Sequence, residues 1–200
     1  SRELFNILSL PAGLSYDGSN DLLDPTKGFR LSARVSPEIS TGVDEIAYFK
    51  AQIDGSVYQP VNNNLVIAGR IRLASISGAE TTNIAPSRRN YAGGGGSVRG
   101  FGFQDIGPVD DNGNPLGGRG LAEFAIEARY RIGSFGIVPF VDAGGVSDRG
   151  TPDFSDIRFA AGLGLRYYTS FGPVRIDVGT PLNRREGESL IALAISLGQA

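Results

Sequence analysis

The chain has 200 residues, a mass of 21.1 kDa and a formal net charge of −2, and it contains no cysteine, histidine, methionine or tryptophan. Thiol chemistry, disulfides, zinc sites built from Cys or His, and imidazole catalysis are therefore excluded. The balanced charge gives no basic face for nucleic acid, and the sequence shows neither a signal peptide nor an apolar stretch of the ~20 residues that a spanning helix needs. Because it lacks methionine and begins at Ser1, we expect a processed chain or a piece of a longer one.

Apolar and polar residues alternate with a period of two along most of the chain, as in half-buried strands. Between Phe29 and Val35, for example, apolar residues occupy the odd positions, and Arg30, Ser32 and Arg34 the even ones. The alternation predicts nine strands, over residues 8–17, 28–37, 44–58, 64–77, 119–132, 135–147, 156–169, 172–180 and 189–198. The residues expected to face lipid include Leu121, Phe124, Ile126, Tyr130, Phe159, Leu163, Ile176 and Ile195.

The predicted strands are longer than the ~5–6 residues typical of soluble sheets, and their connections alternate between short and long. The short connections are 58–64, 133–134 and 169–172, and the long ones are 78–118, 147–155 and 181–188. This arrangement is typical of an antiparallel transmembrane β-barrel. Aromatic residues beside the short turns fit an interfacial girdle, namely Phe135, Tyr167, Tyr168 and Phe171. A soluble β-sandwich, whose strands also alternate, is the other fold considered.

Four short motifs lie at intervals along the predicted strands and loops. They are Val98-Arg99-Gly100-Phe101 in loop 78–118, Phe140-Val141-Asp142-Ala143-Gly144, Asp24-Pro25-Thr26-Lys27-Gly28 after Asp17, and Gly172-Pro173-Val174-Arg175-Ile176-Asp177 with Pro181-Leu182. Each motif is weak alone, but in this order and with this strand spacing they form a specific pattern. Together they resemble the Omp85 superfamily of outer-membrane protein assembly and translocation factors, most closely its TamA branch and next its BamA branch.

The resemblance implies an all-β fold in which residues 1–200 supply about eight to nine strands, the carboxyl-terminal part, of a sixteen-stranded barrel in the bacterial outer membrane. It also implies that loop 78–118 is extracellular and folds into the barrel, and that POTRA domains precede this segment. The partners would be the lipid bilayer and client outer-membrane proteins. Family barrels usually end in an aromatic residue, so we expect that residue to be missing after Ala200. Eight strands from residue 28 onward could also close a narrow barrel, with the loop outside its filled interior.

Arg99, at the tip of the long loop, is the leading candidate site residue. We expect it to contact Asp142 and Glu127, because the alternation places both carboxylates on the polar face of adjacent strands and an enclosed guanidinium needs such partners. Phe101 is expected to pack against the small wall residues Gly162 and Gly164. The alternative is a mobile surface loop that leaves Arg99 in solvent.

The last strand, 189–198, is the candidate seam, where an unpaired edge would template client strands by β-augmentation. Its lipid-facing side chains would be Ile191, Leu193, Ile195 and Leu197, and its polar-side residues Ala192, Ala194 and Ser196. The small inner side chains suggest weak, exchangeable pairing at this seam.

Other loop motifs fail the spacing tests for ligand sites. The glycine run 93–96 is not followed by Gly-Lys-Ser/Thr, Ser97 lacks a nucleophile elbow, and Pro115 replaces the glycine that a calcium loop starting at Asp110 would need. We therefore predict no catalytic residue, no metal, no cofactor and no nucleic-acid partner. The predicted function is insertion or translocation of outer-membrane proteins, and the alternatives are a passive outer-membrane pore and a soluble β-sandwich binding module.

Overall fold

The computed structural model describes residues 5–41, 45–170, 172–185 and 187–198. Its strands are β1 (Asn6–Ser9), β2 (Ala12–Asp17), β3 (Gly28–Thr41), β4 (Ile46–Pro60), β5 (Leu65–Ser77), β6 (Gly120–Ile132), β7 (Phe135–Ser147), β8 (Arg158–Thr169), β9 (Gly172–Pro181) and β10 (Ala192–Leu197). Two short 3-10 turns, Thr81–Asn83 and Pro86–Arg88, lie between β5 and β6. Over these described ranges, no helix is long and apolar enough to cross a membrane.

All ten strands belong to one antiparallel sheet, in which consecutive strands pair from β3 to β10 and both β1 and β2 pair with β3. β1 and β2 share one register, with Ser9 opposite Glu38 and Ala12 opposite Val35, so they form a single strand interrupted at Pro11. The interruption follows from the missing N–H of proline. The nine predicted strands are therefore all present, and the soluble sandwich, which requires two packed sheets, is wrong.

The sheet remains open, because β10 pairs with β9 and with no other strand among the described residues. The alternative of a barrel that closes from residue 28 onward is therefore wrong. On its other edge β3 pairs with β1 and β2 instead of β10, and the long loop lies against the inner face of the sheet instead of outside it. The loop occupies space that a narrow closed barrel would need for its own side chains.

The two faces of the sheet differ as the alternation predicts. The outer face carries exposed apolar side chains such as Ile126 and Leu163, whereas the inner face carries buried arginines and carboxylates. One residue of the predicted lipid-facing set is misplaced: Leu121 lies on the inner face with Glu123 and is only 4% exposed. It packs there in a cluster with Val98 of the long loop, which supplies the apolar surface that lipid was expected to supply.

The aromatic residues beside the short turns are divided between the two faces. Phe135 and Tyr167 are exposed on the outer face with their ring centroids 5.1 Å apart, as an interfacial girdle requires. Tyr168 points inward instead, and the guanidinium carbon of Arg131 lies 4.1 Å from its ring centroid. Successive strand residues point to opposite faces, so Tyr167 and Tyr168 cannot both face lipid. Phe171 lies outside the described residues.

Candidate functional site

The tip of the long loop turns sharply before it meets the inner face of the sheet. Gly93, Gly94 and Gly100 have φ values of 109°, 99° and 102°, which favour glycine because a Cβ is strained there. At Gly100 a Cβ would also lie within 2.7 Å of the Ala160 methyl group. The backbone at the tip therefore approaches strand β8 more closely than any residue with a side chain could.

Arg99 is buried against the inner face of the sheet, where it forms hydrogen bonds to two strands. Its Nε and Nη2 each donate to Asp142 of β7 at 2.8 Å, and its backbone N–H donates to the same carboxylate at 2.9 Å. Its Nη1 donates to Glu127 of β6 at 2.7 Å. The guanidinium carbon lies 3.7 Å from the ring centroid of Phe140, so it also stacks on an aromatic face. The structure thus brings together Arg99 and both residues expected to contact it.

Arg99 belongs to a larger cluster of buried charges. The cluster consists of Arg99, Arg129, Arg166, Arg175, Glu127, Asp142 and Asp177. Arg129 Nε lies 2.8 Å from Glu127, while Arg166 and Arg175 lie 2.7 and 3.1 Å from Asp177. Four arginines and three carboxylates leave the cluster with one excess positive charge. The loop arginine thus supplies one of the four cations that three wall carboxylates hold.

A second contact of the loop was not predicted from the sequence. Arg70 of β5 donates to the carbonyl oxygens of Gly96 and Ser97, and the Ser97 hydroxyl donates to Glu123 of β6. Glu123 is almost fully buried and also pairs with Arg70 at 3.5 Å and with Arg72 at 3.4 Å. The alternation could place Arg70 and Glu123 on the inner face, but only the path of the loop shows which carbonyl groups they meet.

Phe101 does not contact the wall where it was expected. It is 3% exposed and packs with Ala160 and the loop's own apolar residues, and the Arg158 guanidinium carbon lies 5.1 Å from its ring centroid. The space beside Gly162 is filled by the ring of Phe140, with which a Cβ at position 162 would collide. Gly164 leaves room for the ion pair between Arg166 and Asp177, so neither glycine is available to Phe101.

The predicted seam strand corresponds to β10, which is shorter than expected and begins at Ala192. Its outward residues are all exposed, as is Ile191 just before the strand. The exposed residues of the predicted set are Ile191, Leu193, Ile195 and Leu197. On the inner face, the methyl group of Ala194 would lie too close to a Cβ at Gly95, so the long loop also reaches this strand.

The turn between β2 and β3, which lies at the opposite ends of the strands from the long loop, contacts the same charged cluster. Pro25 is buried, and its carbonyl oxygen accepts a hydrogen bond from Arg129 at 3.1 Å. Asp24 lies 3.4 Å from Arg131, and Asp17 lies 3.0 Å from Arg30. The Asp-Pro motif was singled out in the sequence, but its contact with the cluster around Arg99 was not predicted.

Asp110 forms an exposed turn by accepting hydrogen bonds from the side chain and backbone of Asn114. These hydrogen bonds lower the pKa of its carboxyl group below the ordinary value. Within the described residues, no cluster of three or more acidic side chains has the arrangement of a metal site.

Comparisons with known proteins identify the family and the fold of the chain. A family model described as the Omp85 superfamily domain matches residues 2–200. The outer membrane protein assembly factor BamA of Nitratidesulfovibrio vulgaris (strain Hildenborough) is 27% identical over an alignment of 149 positions that covers 70% of this chain and 19% of that protein. The chain therefore spans about a fifth of the length of that relative.

Two solved structures share the fold. BamA from Haemophilus ducreyi lacking POTRA domains 1–3 gives a TM-score of 0.72 at 22% identity, covering 94% of this chain and 40% of that one. CdiB from Acinetobacter baumannii gives a TM-score of 0.62 at 18% identity, covering 98% of this chain and 34% of that one. At these identities the likeness establishes the architecture of the sheet.

Proposed function

Because the chain belongs to the Omp85 superfamily, as its motifs predicted, we propose that it is the carboxyl-terminal part of a barrel that assembles or translocates outer-membrane proteins without enzymatic catalysis. The protein is a bacterial outer-membrane β-barrel protein, and BamA is named as an assembly factor. The preference for the TamA branch stays a prediction. The proposal includes POTRA domains on the amino-terminal side, since the Haemophilus ducreyi BamA was crystallised without its POTRA domains 1–3.

The observation that carries the proposal is the contrast between a loop tip held by buried ion pairs and a last strand with a short pairing to its neighbour. Arg99 is fixed by Asp142 and Glu127, whereas β10 pairs over only six residues with β9. An unpaired strand edge offers a row of N–H and C=O groups to another chain. We assign the client-binding role to this edge, where a client strand would add by β-augmentation.

The orientation of the barrel in the outer membrane follows from the same proposal. The long loop 78–118 would face the cell exterior, and the short turns would face the periplasm. Clients would then approach β10 from the periplasmic end, beside the turn that contains Pro25.

The absence of cysteine from the sequence allows a direct test with single cysteines. We expect Ile195→Cys in β10 to form disulfides with a cysteine in the terminal strand of a client during assembly. Val141→Cys is the matched control, because it also faces outward but lies in β7, which is paired on both sides. Equal crosslinking at the two positions would overturn the assignment of the seam.

A passive pore is the competing outcome. If Arg99 serves a plug that clients displace, Arg99→Ala should raise the ion conductance of the protein in planar bilayers. High conductance that is unchanged by Arg99→Ala, together with no client crosslinking at Ile195→Cys, would favour the pore.

A further inference from the structure

We propose that Arg158 is a positioning residue that couples the tip of the long loop to the segment leading into β10. This inference rests on the proposed role of β10 as the edge that receives clients.

Arg158 is the first residue of β8, and its side chain is buried to 2% exposure. It holds Glu188 through two parallel hydrogen bonds, Nη1 to Oε1 at 3.0 Å and Nη2 to Oε2 at 2.7 Å. Its Nη2 also donates to the carbonyl oxygen of Asn183 at 2.7 Å. Residues 183 and 188 belong to the connection between β9 and β10, so this one guanidinium group anchors the segment that precedes the seam strand.

The same guanidinium group lies against the loop tip. Its carbon is 5.1 Å from the ring centroid of Phe101, within the range of a cation–π contact. Phe101 and Val98 are buried in one apolar cluster with Ala160, which follows Arg158 on the inner face of β8. Arg158 thus touches both the loop tip and the segment before β10.

The two contacts depend on each other for an electrostatic reason. If Phe101 left the wall, water would reach Arg158 and weaken its bond to Glu188, because an ion pair is weaker in water. If Glu188 moved away with β10, Arg158 would remain as a buried charge without its carboxylate, and release of Phe101 would relieve that cost. Detachment of the loop tip from the sheet therefore favours detachment of the seam strand from Arg158, and the reverse also holds, because coupling between two sites is reciprocal.

The coupling can be measured by amide hydrogen exchange on the full chain in lipid vesicles, without a client. Glu188→Gln keeps the shape of the side chain and removes its charge. We expect amide exchange to rise at least about fivefold in 189–198, which follows the mutated residue. We expect the same rise in 96–103, which is linked to the mutated residue through Arg158. Phe101→Leu should in turn raise exchange in 189–198.

Asp156→Asn is the matched control. It removes an exposed ion pair (2.6 Å) with Arg185, which lies in the same connection as Glu188, and should leave 96–103 unchanged. Glu188→Asp, which keeps the charge, should restore much of the protection that Glu188→Gln removes. A rise confined to 182–198 in Glu188→Gln would overturn the proposal, as would no change in either segment. Because no client is present, failure of this test is distinct from failure of client crosslinking at β10.

Discussion

Asp142→Ala should destabilise the folded protein more than Arg99→Ala, although the two residues form one ion pair. The difference comes from the charges that each substitution leaves behind. Without Arg99, three arginines face three carboxylates in the buried cluster, whereas without Asp142 four arginines face two carboxylates. The second arrangement leaves buried positive charge without partners.

The expected magnitudes follow from the number of bonds lost. Asp142 accepts two side-chain hydrogen bonds and one backbone hydrogen bond from Arg99, and Ala at position 142 removes all three. Breaking such a buried pair from the side of the carboxylate costs about 3–5 kcal/mol. Arg99→Ala keeps the backbone N–H that donates to Asp142, and should cost about 1–3 kcal/mol for the carboxylate bonds left unmade.

The measurement is a double-mutant cycle on unfolding by denaturant in lipid vesicles. We expect Arg99→Ala and Asp142→Ala to be non-additive by at least about 1 kcal/mol. The pair of exposed Arg149 with half-buried Asp153, at 3.1 Å, is the control and should couple by less than about 1 kcal/mol. Additive effects of the first pair, or a larger loss from Arg99→Ala than from Asp142→Ala, would refute this reasoning.

Three further substitutions or titrations test other parts of the structure. Ile126→Arg should cost about 2–4 kcal/mol of unfolding free energy in a bilayer because the residue faces lipid, and an unchanged stability would contradict its outward orientation. Gly100→Ala should lower stability by about 1–3 kcal/mol because φ is 102° and the wall lies close, whereas Gly96→Ala, with open space around it, should have little effect. Burial raises the pKa of Glu188, but hydrogen bonds from Arg158 and from a backbone N–H outweigh it and hold the pKa below 4.5. The stability from this pair should thus be complete above pH 4.5 and be lost as the pH falls through the lowered pKa, which a chemical-shift titration of the Glu188 carboxyl group would locate; a midpoint at or above 4.5 would contradict the pairing.

The alternation of the sequence determined the strands and most of their faces. A period of two is a local property, since each side chain points away from its neighbours whatever the rest of the chain does. Ile126 and Leu163 could therefore be assigned to the outer face without a structure. The assignment failed at Leu121 because Ala122 and Ala125 are too small and apolar to mark the faces at that end of β6.

Contacts between distant segments were determined only by the tertiary structure. The sequence indicated Arg99, Asp142 and Glu127 through their motifs and parity, but it placed Phe101 on glycines that other side chains already occupy. Which wall residues are free depends on how neighbouring strands fill the interior, and that packing is not a local property. For the same reason the contact of Arg158 with both Glu188 and Phe101 has no signal in the sequence: it joins three segments that only the folded sheet brings together.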